Sequence, residues 1–298
     1  MKPALIIGST CVDVIINIPH LPVTQEDIHP TAQTLSVGGC SYNVAYIARL
    51  LDTPCTHISP VGGGMYGDYI AKVLTESGVP ISVRVPDQEN GCCYCLVEES
   101  GERTFMSYHG AEYTFQKEWM KPYCADDFGL CYICGIEIEE PTGTQIIEYL
   151  EENPNLPVFF APGPRLKHIS KEKIDRIFAR KPILHLNEIE AMALSGKEGI
   201  KEAGRALHAI TGNSVIVTLG VQGTFCIDAD SSEHMLPSVP AKHVVDTIGA
   251  GDSHAGSVIA CLTKGMSLRD SAAYANKVAA AVVGVQGIGL TKELVPAF

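Results

Sequence analysis

No stretch of this chain approaches the roughly 20 consecutive apolar residues that a membrane-spanning helix needs, so a helical membrane protein is not expected. Positive charge is scarce. The 22 Lys and Arg against 34 Asp and Glu leave a formal net charge of −12. An acidic surface repels nucleic acids and anionic membranes, so neither is an expected partner. A nucleotide would need its own charge offset by Mg²⁺, or its phosphates seated on backbone amides. No G-x-x-x-x-G-K-[ST] loop occurs, which argues against a P-loop NTPase. The run Gly249-Ala250-Gly251-Asp252-Ser253-His254 lacks the third glycine of the dinucleotide fingerprint, which argues against a Rossmann dehydrogenase. Low-complexity tracts, long linkers and internal repeats are absent too. The apolar run Ala4-Leu5-Ile6-Ile7-Gly8 is too short for a signal peptide and is soon followed by Asp13. It reads as a first buried strand, and a cytoplasmic location is the expectation.

What the chain has is bulk and alternation. Its 298 residues are 46% hydrophobic, ample for a large core. Most of the eleven cysteines sit in apolar runs, as in Cys92-Cys93-Tyr94-Cys95 and Cys131-Tyr132-Ile133-Cys134, where a thiol behaves as a small hydrophobe. On strands, positions i and i+3 face opposite ways, which is wrong for joint zinc ligation.

Strands are expected at 5–8, 56–61, 130–134, 158–161, 183–186 and 214–219. Helices are expected at 42–51, 66–77, 144–151, 171–179, 188–195, 200–210, 250–263 and 268–283. Such alternation implies βαβ units and a doubly wound, mostly parallel sheet with helices on both faces. Residues 14–37 and 91–108 break the alternation and read as extended chain. In the second segment, Glu98–Glu102 signals a hairpin turn. Together the two segments suggest a small β-sheet lid on one domain spanning 1–298.

The strongest chemical signal is Asp246-Thr247-Ile248-Gly249-Ala250-Gly251-Asp252, followed by an apolar helix. Glycines at a helix start let backbone N–H groups converge on an anion that the helix dipole also favours. Asp252 then falls in the first turn. Beside an anion hole, a carboxylate can take the proton of an attacking hydroxyl while the amides hold charge on a transferring phosphoryl group. The competing reading is an acid that serves the helix dipole alone.

This run resembles the second signature of the ribokinase (PfkB) family of carbohydrate and nucleoside kinases. Val37-Gly38-Gly39-Cys40-Ser41-Tyr42-Asn43 resembles the first, and the resemblance extends from Gly8 to about Gly289. It implies a ribokinase-like α/β fold with a β-sheet lid, and transfer of the ATP γ-phosphate to an alcohol. Asp252 is then the base, and Gly249, Ala250 and Gly251 form the anion hole. Gly39, Asn43 and Asp13 are expected to bind the acceptor. The Asn187-Glu188-Ile189-Glu190 segment matches a motif that organises Mg²⁺ and its waters, though an N-cap Asn with a first-turn Glu looks the same. Thr218, Gly220 and Gly223 are expected to line the ATP phosphates and ribose, and Asn276 to border the adenine. Asp246 and Ile248 match a place where several relatives hold a monovalent cation, K⁺, by oxygens.

The sequence departs from the family pattern at several points. His254 stands where a bulky aromatic is usual. Tyr42 is large for the first signature. Ala161-Pro162-Gly163-Pro164-Arg165 replaces a run that often starts with Asp, and His109 stands where kinases of acidic sugars often carry Arg. The substrate-side motifs bring few cations. The expected enzyme is therefore an ATP-dependent kinase of a neutral sugar, working as a homodimer through its β lid. Alternatives are a nucleoside kinase of the adenosine or pseudouridine type, with Tyr94, Phe105 or Tyr108 stacking a base, and a non-catalytic ligand-binding relative.

Overall fold

Ala4-Leu5-Ile6-Ile7 is apolar at every position, which suits a strand covered on both faces, and all four residues are buried. This strand, β1 (Ala4–Ile7), stands near one edge of a large sheet in the computed structural model, which describes residues 1–298. The other strands are β2 (Cys11–Ile18), β3 (Ala32–Gly38), β4 (Cys55–Ile58), β5 (Pro60–Gly63), β6 (Val83–Glu89), β7 (Cys92–Glu98), β8 (Arg103–Tyr108), β9 (Leu130–Cys134), β10 (Val158–Ala161), β11 (Ile183–Asn187), β12 (Val215–Thr218), β13 (Thr224–Ile227) and β14 (Glu233–Leu236). The helices are α1 (Cys40–Leu50), α2 (Gly64–Glu76), α3 (Gly135–Glu139), α4 (Gly143–Glu152), α5 (Lys171–Ala179), α6 (Glu188–Ser195), α7 (Ile200–Thr211), α8 (Ala250–Thr263) and α9 (Leu268–Val283).

The chain divides into two compact units. The larger holds residues 1–8, 40–58 and 115–298. Its eight-stranded sheet has the order β14-β13-β12-β11-β10-β9-β1-β4, parallel from β4 to β12 with β13 and β14 antiparallel. On one face Ala4, Ile6, Tyr132, Phe159 and Ile216 pack with Val44 of α1, Ala255 and Ile259 of α8 and Ala275 of α9. Strand residues between these, such as Leu5, Ile7, Cys131 and Ile133, point the other way and are as deeply buried. On that second face α7 packs closely, because Gly204 leaves room for the Phe225 ring. This is the doubly wound α/β sheet that the alternation implies. The order reverses at β1, which has β4 on one side and β9 on the other. In open sheets ligands bind beyond the carboxyl ends of the strands at such a reversal.

The smaller unit holds residues 9–39 and 59–114. It has a four-stranded sheet in the order β3-β2-β7-β8 and a parallel pair of β5 with β6. The hairpin signal at 98–102 forms the β7–β8 turn, with Gly101 at φ 87°. Strands occupy only Cys11–Ile18 and Ala32–Gly38 of the segment expected to be extended over 14–37; residues 19–31 are irregular. The strand expected at 56–61 is two strands. Residues 55–58 pair with β1, whereas Pro60, which has no N–H to donate, opens a new strand paired with β6. Helices α1 and α2 start two residues earlier than expected, at Cys40 and Gly64.

Candidate active site

Asp252 stands in the first turn of α8, behind Gly249, which caps the helix at φ 72°. That left-handed conformation suits glycine. A Cβ there would also strike the Ile288 side chain. Gly251 is exposed with open space where a Cβ would lie, so nothing on the chain covers the first turn at that point. First-turn amides have no acceptor within their own helix, and although Ala250 N donates to the Thr247 carbonyl at 3.3 Å, this end of α8 is suited to an anion.

Asn43 of α1 meets Asp252 directly: its Nδ2 donates to Asp252 Oδ2 at 2.8 Å. The two residues are 209 positions apart. They meet because α1 crosses α8 at Gly256, where a Cβ would lie 2.8 Å from the Val44 carbonyl oxygen. Asn43 is 5% exposed, and its Oδ1 is buried without a hydrogen-bond partner. A buried acceptor left in that state is costly unless a ligand supplies a donor.

Asp13 lies on β2 in the smaller unit, half-buried, and receives a long contact from the Cys11 thiol. Its pairing places Ser36, Cys93 and, through Cys93, Ser107 on the same rung and the same face of the four-stranded sheet. Phe105 shares that face two residues along from Ser107, whereas Tyr94 and Tyr108 point to the opposite face. Gly39 has φ 107°, and a Cβ there would come 2.7 Å from the Ser9 carbonyl oxygen, so only glycine fits. Cys92 and Cys95 lie on opposite faces, paired with Val12 and Ile15.

At the carboxyl ends of β11 and β12, Asn187 and Thr218 are register partners. Asn187 caps α6 in a complete capping box. Its Oδ1 accepts from Glu190 N at 2.8 Å, Glu190 Oε2 accepts from Asn187 N at 3.1 Å, and Asn187 Nδ2 donates to Glu190 Oε1 at 2.8 Å. The capping geometry weighed from the sequence is therefore present. Burial raises the Glu190 pKa. These oxygens suit a hard cation, and their mutual engagement fits one held through water. Thr218 donates to the Leu186 carbonyl at 3.3 Å. Gly220 (φ 55°) and Gly223 (φ 99°) bound the next turn. Asp246 is buried, and its two carboxylate oxygens accept from Ile248 N at 2.7 Å and Gly287 N at 2.9 Å, tying two loops together. Asn276 of α9 lies behind this region and accepts from Thr224 Oγ1 at 2.7 Å.

Reading the sequence alone missed Glu137, and it placed Cys40 in the first signature and Cys134 in an apolar run without bringing the two together. Glu137 is a buried carboxylate at the start of α3. The Cys40 thiol has a raised pKa, chiefly through a hydrogen bond with Cys134, then through burial and the charge of Asp252. The one sequence clue to Glu137 is its place between Ile136 and Ile138, unlike its neighbours Glu139 and Glu140.

A mostly parallel α/β sheet with a glycine-capped helix, a first-turn carboxylate and an engaged asparagine is suited to proton transfer beside a bound anion. The chain belongs to the pfkB family of carbohydrate kinases, which it matches over residues 1–293. It is a kinase that acts on a hydroxyl group. It is 34% identical over 292 residues to the uncharacterized sugar kinase YegV of Escherichia coli (strain K12), covering 96% of this chain and 90% of that one. Its fold matches ribokinase from Thermotoga maritima, with TM-score 0.84 at 22% identity, over 100% of this chain and 97% of that one. It also matches a Burkholderia thailandensis nucleoside kinase in complex with inosine, with TM-score 0.80 at 18% identity, over 98% and 95% of the two chains.

Proposed function

We propose that this kinase transfers the γ-phosphate of ATP to a hydroxyl of a neutral sugar, with Asp252 as the general base. The observation that carries this reading is the Asn43–Asp252 hydrogen bond, with Asn43 Oδ1 left buried and unfilled. An acceptor that donates a neighbouring hydroxyl to Asn43 Oδ1 would set its reacting hydroxyl beside the Asp252 carboxylate, which takes that second hydroxyl's proton as its oxygen attacks. The amides at the start of α8, behind Gly249, Ala250 and Gly251, meet the charge of the transferring group. Asp13 and Gly39 are assigned to the acceptor. Thr218, Gly220, Gly223 and Asn276 are assigned to ATP. Mg²⁺ supplies charge neutralisation when bound, and Asn187 with Glu190 would hold it through water. Asp246 and Ile248 are assigned to a monovalent cation, K⁺.

The arginines support a neutral acceptor. Arg165 is paired with Glu139. Arg84 donates to the Gly62 carbonyl at 2.6 Å and to Asp68 at 3.1 Å. Arg103 lies four residues along β8 from the Asp13 rung, about 13 Å at strand spacing. His109 is stacked on Tyr113. An anionic acceptor would need a fork-shaped cation that these residues do not offer. A nucleoside acceptor is the second reading. It is favoured by Phe105, 55% exposed on the Asp13 face and able to stack a base.

We read the two units as one kinase domain, with the four-stranded sheet as its lid. The lid's open edge, with Phe105, Met106 and Tyr108 exposed, is the proposed homodimer surface. Sedimentation showing only monomer at micromolar concentration would count against that surface.

The function is tested with Asp252→Asn and an ADP-release panel of sugars, their acids and phosphates, and nucleosides. The variant should lose about 10² to 10⁴-fold in kcat with ATP binding retained. Wild-type turnover in the variant, or a tenfold preference for an anionic acceptor (about 1.4 kcal/mol), would overturn the corresponding half of the proposal.

A further inference from the structure

Four polar side chains are buried together in the larger unit: His185 of β11, Thr224 of β13, His254 of α8 and Asn276 of α9, of which Asn276 is the most exposed at 8%. They form one hydrogen-bonded cluster, in which His254 touches Asn276 directly as well as through Thr224. His185 Nε2 lies 2.9 Å from His254 Nδ1, and His254 Nε2 lies 3.3 Å from Thr224 Oγ1. Thr224 Oγ1 lies 2.7 Å from Asn276 Oδ1, and Asn276 Nδ2 lies 3.1 Å from the Pro237 carbonyl oxygen.

The direction of every bond follows from the Pro237 end. A carbonyl only accepts, so the nitrogen of Asn276 faces Pro237 and its oxygen faces Thr224. An amide oxygen only accepts, so Thr224 spends its one proton there. Thr224 can then only accept from the other side, so His254 carries its proton on Nε2. Burial lowers the His254 pKa to about 4, so the ring is neutral and its Nδ1 must accept. His185 therefore donates from Nε2. Its own pKa is lowered well below the usual value, first by burial and then by His254, so it is neutral too. The chain of donors runs one way: His185, His254, Thr224, Asn276, Pro237.

We propose that this chain is a positioning device. It locks the Asn276 amide so that the nitrogen, and not the oxygen, is left to offer a hydrogen bond to the nucleotide, and it makes His254 and Thr224 positioning residues for nucleotide use. The proposal deepens the reading above and rests on Asn276 lying at the nucleotide. Asn276 retains one N–H beyond the one given to Pro237, and its oxygen is already engaged. An isolated Asn could present either end by a half-turn of its amide. Here that half-turn would set Asn276 oxygen against the Pro237 carbonyl oxygen and its NH₂ against the Thr224 hydroxyl. Thr224 would then have to accept from two donors and waste its own proton. The chain also ties Asn276 to α8 two residues beyond Asp252, so the nucleotide side and the base share one rigid buried element.

The test compares Thr224→Val, which keeps the shape and removes the hydroxyl, with Thr224→Ser, which keeps the hydroxyl. In Thr224→Val the KM for ATP should rise about three- to tenfold, the effect of one hydrogen bond. The kcat and the acceptor KM should hold, and the preference for ATP over GTP should shrink. Thr224→Ser should restore both. A role in packing alone would lower Tm in Thr224→Val without moving the ATP KM or the base preference, and that result overturns the proposal. Asn276→Ala is run beside them. If it raises the ATP KM while Thr224→Val does not, the positioning device fails and the nucleotide assignment stands. If Asn276→Ala leaves the ATP KM unchanged, Asn276 is not at the nucleotide and both fail. Should Thr224→Val not fold, ¹⁵N spectra of histidine-labelled wild-type enzyme decide. Both rings should be neutral Nε2–H tautomers at neutral pH, and an Nδ1–H tautomer or a charged ring at either position overturns the proposal.

Discussion

A Cβ on Gly38 would lie 2.8 Å from Cγ of Asp13 and on top of its Oδ2. The absent side chain of β3 is thus the space that the Asp13 carboxylate occupies on β2. Gly38→Ala should turn that carboxylate away without unfolding the sheet, since a side-chain oxygen is what yields. The acceptor KM should rise about tenfold or more, the loss of one or two charged hydrogen bonds, while the ATP KM stays unchanged. Steady-state kinetics with each substrate varied in turn checks this, and an unchanged acceptor KM would remove Asp13 from the acceptor site.

The Asn43–Asp252 pair makes a second, ordered prediction. Asn43→Ala removes a donor to the base and an acceptor for substrate. Asn43→Asp adds a second carboxylate against Asp252, where like charges at contact disfavour each other. The kcat should fall in both, and further in Asn43→Asp. The reverse ranking would show that the hydrogen bond to Asp252 does not matter to turnover.

Glu190 can be separated into its two roles. Glutamine also closes a capping box, so Glu190→Gln should leave stability within about 0.5 kcal/mol of wild type. The Mg²⁺ concentration for half-maximal activity should rise, because the charge is gone. Glu190→Ala should add a loss of about 1 kcal/mol in stability. A Gln variant with unaltered Mg²⁺ dependence would assign the residue to capping only.

Stability should fall with acid through the buried histidines. Burial lowers the pKa of His254 to about 4 and of His57 to about 3, and that of His185 well below 6.5. The unfolded chain binds protons at these rings near pH 6.5, where the folded one does not. Their contribution is therefore whole above that pH and lost as pH falls from 6.5 toward 4. Protonation of the unfolded chain at His254 and His57 costs about 2 kcal/mol of stability for each ring on going from pH 7.5 to 5. Glu112 and Glu190, whose pKa values burial raises, act in the opposite sense. Denaturant titrations of wild type and His254→Phe at both pH values should show a flatter pH dependence in the variant.

Much of this was legible in the residues alone. The strands at Leu130–Cys134 and Val158–Ala161 and the helices at Ala250–Thr263 and Leu268–Val283 lie where the pattern places them, because unbroken apolar runs and helical periodicity are local properties. The break at Ser59-Pro60 had a signal in Pro60 that the sequence reading passed over, and the partners of the two halves, β1 and β6, are set only by the fold. The aromatics of β7 and β8 were a similar case. Phe105, Tyr94 and Tyr108 look equivalent in a list, and pairing register alone sends Phe105 to the Asp13 face and the two tyrosines to the other.

The glycine-rich start of α8, the acid in its first turn and the Gly38-Gly39 bend are dictated by short-range chemistry, because left-handed backbone and close approach need glycine wherever the chain folds. The partners of these residues are not. Asn43 reaches Asp252 only because two helices cross at Gly256. His254 passes for a core residue until β11, β13 and α9 bring His185, Thr224 and Asn276 around it. Which polar groups meet in a sealed interior depends on packing between distant segments, and only the folded chain sets that.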